Sequence, residues 1–141
     1  MATARPDVDS LVPHRGTARF LEAVEELAAD RAVCRARIPA NSPFVAGKRV
    51  PAFVGLELGA QAAAAVEALS RFENEDVASP RIGYLVGARD AVFHGLDLPV
   101  ERPLYVSVRL ADRSGPLNVY EIAVILDGET RVEATISTTI P

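Results

Sequence analysis

The stretch Pro51-Ala52-Phe53-Val54-Gly55-Leu56-Glu57-Leu58-Gly59-Ala60-Gln61-Ala62-Ala63-Ala64-Ala65-Val66 decides the reading of this chain. Alanine and leucine favour a helix, and proline suits a first helical position because its missing N–H would have no intrahelical partner there. A helix is therefore expected from about Pro51 to Phe72. A surface helix shows charge along one side, whereas Glu57 is the only ionisable residue between Pro51 and Val66. Phe53, Leu56, Ala60 and Ala64 make one broad apolar face, and Val54, Leu58, Val66 and Leu69 lie beside it. The helix reads as buried on most sides, with small residues that let another backbone come close.

Outward from the helix, the pattern changes to a period of two. Ala32, Cys34, Ala36 and Ile38 alternate with Arg31, Arg35 and Arg37, so Phe20 to Ile38 reads as two strands around a turn at Ala29-Asp30. Pro39 to Val50 has no sustained period and reads as a connecting loop. Beyond Pro80, strands are expected near Ile82–Phe93, Tyr105–Asp112, Asn118–Leu126 and Arg131–Ile140, joined as consecutive hairpins. Ser114-Gly115-Pro116 and Asp127-Gly128 supply the turn chemistry. A long buried helix between a hairpin and a meander fits an α+β class in which a curved antiparallel sheet wraps the helix. The open sheet edges and outer face then favour pairing with a second subunit.

Composition narrows the function. The 141 residues fit one domain, 1–141, and 49% apolar with 24% charged residues suits a globular fold. A net charge of −4 argues against a general nucleic-acid binder. No apolar run reaches the length of a membrane span and the first residues lack a signal-peptide core, so no membrane association and a cytoplasmic location are expected. The single cysteine, Cys34, reads as a packing residue, and with two histidines it is too little for a usual zinc site. No phosphate loop or nucleophile elbow is present, so neither metal nor cofactor is expected, and acid–base chemistry or binding is left.

Glu57 is the first candidate for that chemistry. A carboxylate flanked by Gly55, Leu56, Leu58 and Gly59 is costly to bury without a partner. It serves either as a core hydrogen-bonding group or as a general acid or base. Gln61 follows one turn later on the same face. Backbone N–H groups at the helix start, near Phe53 to Gly55, would polarise a carbonyl oxygen bound beside Glu57. His14 and His94 are the only imidazoles, and each has an ordinary structural reading as well.

Leu11-Val12-Pro13-His14-Arg15 resembles the opening of the hotdog-fold 3-hydroxyacyl-[acyl carrier protein] dehydratases, and Asn41-Ser42-Pro43-Phe44 resembles the loop before their central helix. Pro51, Glu57 and Gln61 have the spacing of that family's helix-start proline, glutamate and glutamine, and Tyr84-Leu85-Val86-Gly87 with Phe93 resembles its third strand. The usual His-Phe-Pro-Gly motif is missing: Gly47-Lys48-Arg49-Val50 leads directly into Pro51. That shortened form is similar to the divergent ApeP-like branch associated with aryl polyene synthesis.

The resemblance implies a hotdog fold and a cofactor-independent hydro-lyase that dehydrates a 3-hydroxyacyl thioester to the trans-2-enoyl product in fatty-acid or aryl polyene synthesis. It implies acyl carrier protein as a partner and a second hotdog subunit, as homodimer or heterodimer. Glu57 and His14 would then be catalytic, with His94 the alternative imidazole; Gln61 would orient Glu57 or the leaving water, and Gln61, Phe53, Gly55 and Tyr84 would contact substrate. Arg15, Lys48 and Arg49 would meet the carrier protein if they are not simply a solvated face. Two alternatives stand beside this: an acyl thioesterase using Glu57, and a catalytically weak partner subunit that binds acyl chains or completes the site of a related dehydratase.

Overall fold

The computed structural model describes residues 19–74 and 84–139. The elements there are β1 (Leu21–Ala28), β2 (Arg31–Ala36), β3 (Arg49–Pro51), the helix α1 (Val54–Asn74), β4 (Tyr84–Phe93), β5 (Asp97–Pro99), β6 (Leu104–Ser114), β7 (Leu117–Leu126) and β8 (Glu129–Thr139). Six strands form one antiparallel sheet in the order β1-β2-β6-β7-β8-β4, and β3 pairs with β5 in a small second one. The helix contacts every strand of the larger sheet. This is the hotdog architecture.

The turns follow from their residues. Leu126 pairs with Glu129 across Asp127-Gly128, whose φ values of 52° and 80° are both positive, as a two-residue type I′ hairpin loop requires. Ser114 pairs with Leu117 across Gly115-Pro116, where a φ of 62° falls on the glycine and proline follows. Strand alternation then sorts the faces. Val106, Val108, Tyr120, Ile122, Val124, Val132, Ala134 and Ile136 are buried toward the helix, while Tyr105, Arg109, Glu121 and Glu133 are exposed on the outer face.

Close approach of helix and sheet occurs at glycine. A Cβ at Gly59 would lie 2.5 Å from Cδ1 of Ile122 and 3.1 Å from its Cβ, and one at Gly55 would lie 2.9 Å from Cγ2 of Val132. The first two turns of α1 therefore rest their backbone on β7 and β8. Ala62, Ala63, Ala65, Val66 and Ala68 are at most 1% exposed, so the burial read from the lack of charge is found.

Three expectations are corrected. Pro51 is not the first helical residue: it pairs with Asp97 in β3, Ala52 N–H bonds to the Leu96 carbonyl, and the helix starts at Val54. Proline tolerates a short strand because its partner need not receive an N–H from it. β3 and β5, three residues each, carry no readable period. Finally, β4 is not in a hairpin with β6; it lies at the far edge against β8, because the β6–β7–β8 meander intervenes.

Candidate functional site

Beside the first turn of α1 lies a pocket of about 430 Å³, lined by Phe20, Phe44, Phe53, Val54, Leu56, Glu57 and Leu85. Among the described residues that line it, Glu57 is the one polar side chain. Phe44 and Phe53 are 47% and 56% exposed, so the pocket opens between aromatic rims. A larger hollow of about 510 Å³ on the outer sheet face is polar, and within it Arg109 is paired with Glu121 at 2.6 Å. The apolar pocket is the one that fits a hydrocarbon chain.

Gln61 sets the carboxylate. It is fully buried, and its Oε1 accepts the Phe20 N–H at 2.9 Å. That contact fixes the amide orientation, because a backbone N–H must meet oxygen and not NH₂. The NH₂ therefore faces one turn back, where Nε2 donates to Oε1 of Glu57 at 3.4 Å. At the helix start the Gly55 N–H is given to the Ala52 carbonyl and that of Leu56 to Phe53, each at 2.9 Å. The missing side chain of Gly55 lets the helix rest on β8.

The other candidates separate. Tyr84 opens β4 opposite Thr139, next to the pocket residue Leu85, and its side chain lies outside the described residues. His14 and Arg15 also lie outside them. His94 is exposed, with Nε2 3.0 Å from Glu133 and its backbone N–H on the Arg131 carbonyl, and it does not line the pocket. Arg49 is paired with Asp97 at 2.7 Å. Cys34 is buried in the core, and burial pushes its thiol up to about 12, as suits a packing residue. Among the described residues no group of three His, Cys, Asp or Glu converges to hold a metal, and no helix is long and apolar enough to cross a membrane.

Sequence reasoning missed Phe20 and Leu85 as pocket walls, since only the packing of β1 and β4 around the helix start brings them there. It also missed the second helix carboxylate. Glu67 is 7% exposed, accepts a hydrogen bond from the Tyr120 hydroxyl and lies 3.3 Å from the Arg113 guanidinium, which also reaches Asn118 at 3.1 Å. Burial and this carboxylate raise the Tyr120 hydroxyl far above its ordinary value.

Among the described residues, one side of the pocket is open. Cross-strand partners share a face, so Leu85, Ala88 and Phe93 lie on the inner face with Thr138, Ile136 and Val132. The β8 members are at most 6% exposed, whereas Leu85 and Phe93 are 37% and 39% exposed and Ala88 is exposed as well. The inner face of β4 therefore presents uncovered apolar surface along the pocket edge.

No curated protein matches the chain in sequence. Among solved structures, it is similar to a chain of the dehydratase heterocomplex ApeI:P from Xenorhabdus doucetiae, with 22% identity and a TM-score of 0.84 over 95% of this chain and 90% of that one. It is also similar to a hypothetical thioesterase protein with coenzyme A from Streptococcus pneumoniae, with 12% identity and a TM-score of 0.59 over 84% of each chain. A variant of the phenylacetic acid degradation protein PaaI from Thermus thermophilus aligns at 15% identity and a TM-score of 0.60, over 86% of this chain and 94% of that one. At these identities the likeness concerns the fold. The expectation that this chain is by itself a 3-hydroxyacyl dehydratase is corrected here: the dehydratase named in the first of these structures is a heterocomplex of two components. The match of residues 6–141 to the model of the ApeP-like family, described as ApeP dehydratase, joins the pocket, the helix glutamate and the wrapped sheet into one assignment: the chain belongs to the ApeP-like family.

Proposed function

We propose that this chain is the partner subunit of a two-chain hotdog dehydratase acting on a 3-hydroxyacyl thioester of acyl carrier protein, in fatty-acid or aryl polyene synthesis. It contributes wall and rim to the acyl-chain site and does not carry the reaction alone. The observation behind this is the half-open pocket: Glu57 and the aromatic rim are positioned by this chain, while Leu85, Ala88 and Phe93 along β4 are left uncovered. A second hotdog chain seated there would cover the apolar strip and close the pocket, and burial of that surface would drive association. Such a partner would bring the imidazole that removes the C2 proton, while Glu57, held by Gln61, would face the C3 hydroxyl end of the acyl group.

Co-expression with a hotdog chain that carries an intact His-Phe-Pro-Gly motif tests this. A stoichiometric complex by native mass is expected, with enoyl absorbance generated by the pair and not by this chain alone. Dehydration by this chain alone at the rate of the pair would overturn the reading, as would failure to form a complex. Release of free thiol by this chain alone would favour a thioesterase.

A further inference from the structure

We propose that Arg89 and the two bulges flanking its strand segment determine partner choice at β4, disfavouring a second copy of this chain and fitting a strand with a carboxylate facing Arg89. The inference rests on reading this chain as a partner subunit and names the kind of edge it accepts.

β4 ends the strand order of the large sheet, so its outer edge carries backbone groups that pair with no strand among the described residues. Its register against β8 slips twice. Leu85 faces Thr138 and Gly87 faces Ser137; farther on, Arg89 faces Thr135 and Val92 faces Glu133. Each step advances β4 one residue farther than β8, so an extra residue is accommodated at Val86 and another at Asp90-Ala91. Asp90 has a φ of 53°, in the left-handed region that aspartate tolerates better than most residues with a side chain. Between the bulges only Gly87-Ala88-Arg89 is regular ladder. An incoming strand must be compatible with both interruptions.

A second copy meets a conflict on this edge. Antiparallel self-pairing that sets bulge against bulge places Ala88 opposite Ala88 of the other copy, and Arg89 opposite its Gly87. The two arginines then share the outer face as diagonal neighbours, roughly 7–8 Å apart. A shift of one residue would set outer-face residues against inner-face ones. Moving the axis to Arg89 would place the guanidinium-bearing positions directly opposite, and moving it to Gly87 would set bulges against regular strand. Among the antiparallel self-pairing registers, the one that aligns bulge with bulge is also the one that brings the two arginines together. Arg89 itself is exposed and makes no ion pair among the described residues, so its charge is available to a partner. A non-identical strand can keep the Ala88-centred register and place an acidic side chain beside Arg89.

The test needs only this chain and variants of it. Wild type is mixed with R89E, and association is measured by sedimentation with one partner fluorescently labelled. The mixed pair is expected to associate about three- to tenfold more tightly than wild type with itself, from replacing like-charge by opposite-charge cross-strand neighbours. That gain should fade in about 1 M salt, where the screening length is about 3 Å. In the mixed pair, Ala88→Cys on both chains is expected to form an interchain disulfide under oxidation. Self-association of wild type as tight as the mixed pair would overturn the proposal, as would a mixed pair that does not crosslink. Either result would leave co-purification with the motif-bearing hotdog chain to stand or fall separately.

Discussion

Two carboxylates on the same helix, Glu57 and Glu67, have opposite surroundings. Glu67 is 7% exposed and enclosed by Tyr120 and Arg113, whose polar hydrogens occupy its oxygens. Glu57 is half-buried, receives Nε2 of Gln61 at 3.4 Å and lines an apolar pocket open on one side. The difference separates two uses of a charged group in an apolar helix. A carboxylate satisfied by its own fold ties the helix to the β6–β7 hairpin, whereas one facing a pocket can meet a ligand.

Substitution at Glu67 should give the largest effect on stability. Glu67→Ala leaves the buried Tyr120 hydroxyl without its acceptor and Arg113 without its carboxylate, at a cost of about 2–4 kcal/mol. The partial exposure of Arg113, 43% for its side chain, places the expectation below that for a fully enclosed pair. Denaturant unfolding checks this, and a loss under about 1 kcal/mol would mean the network contributes little. Glu57→Gln is expected to do the reverse: unfolding within about 0.5 kcal/mol of wild type, because the near-isosteric amide keeps an oxygen that accepts from Gln61, but turnover by the two-chain complex lowered about tenfold or more. Unchanged turnover would remove Glu57 from the composite site and leave this chain a supporting role.

The smallest effect near neutral pH belongs to Cys34. Because burial raises the folded thiol from 9.0 to about 12, the native state holds this proton more tightly than the unfolded chain. Its contribution to stability is therefore complete below about pH 9 and is lost as pH rises from about 9 to about 12. Cys34→Ala should flatten that alkaline decline while changing little at pH 7. An unchanged alkaline profile would show that the thiol does not report on core integrity.

Much of the fold was legible because local chemistry and tertiary demand agree. The alanine-rich stretch, the alternation along β2, and the positive-φ turn at Asp127-Gly128 each point to one local structure. Pro51 was ambiguous because its fixed φ suits a helix start and a strand alike, and only pairing with Asp97 resolves it. The pairing of Gln61 with Glu57 was legible as a four-residue spacing. The anchoring of Gln61 by the Phe20 N–H, 41 positions away in sequence, was not.

Sequence alone determined the helix, the meander and the presence of a lone carboxylate at the apolar helix start, since these depend on periodicity and composition within a few turns of chain. Tertiary structure decided which carboxylate is enclosed, which helix-start N–H groups are occupied, and where β4 lies. Those outcomes depend on contacts between segments far apart in sequence. Strand order places β4 at an edge with its apolar inner face uncovered, and no local pattern encodes which neighbour a strand will have.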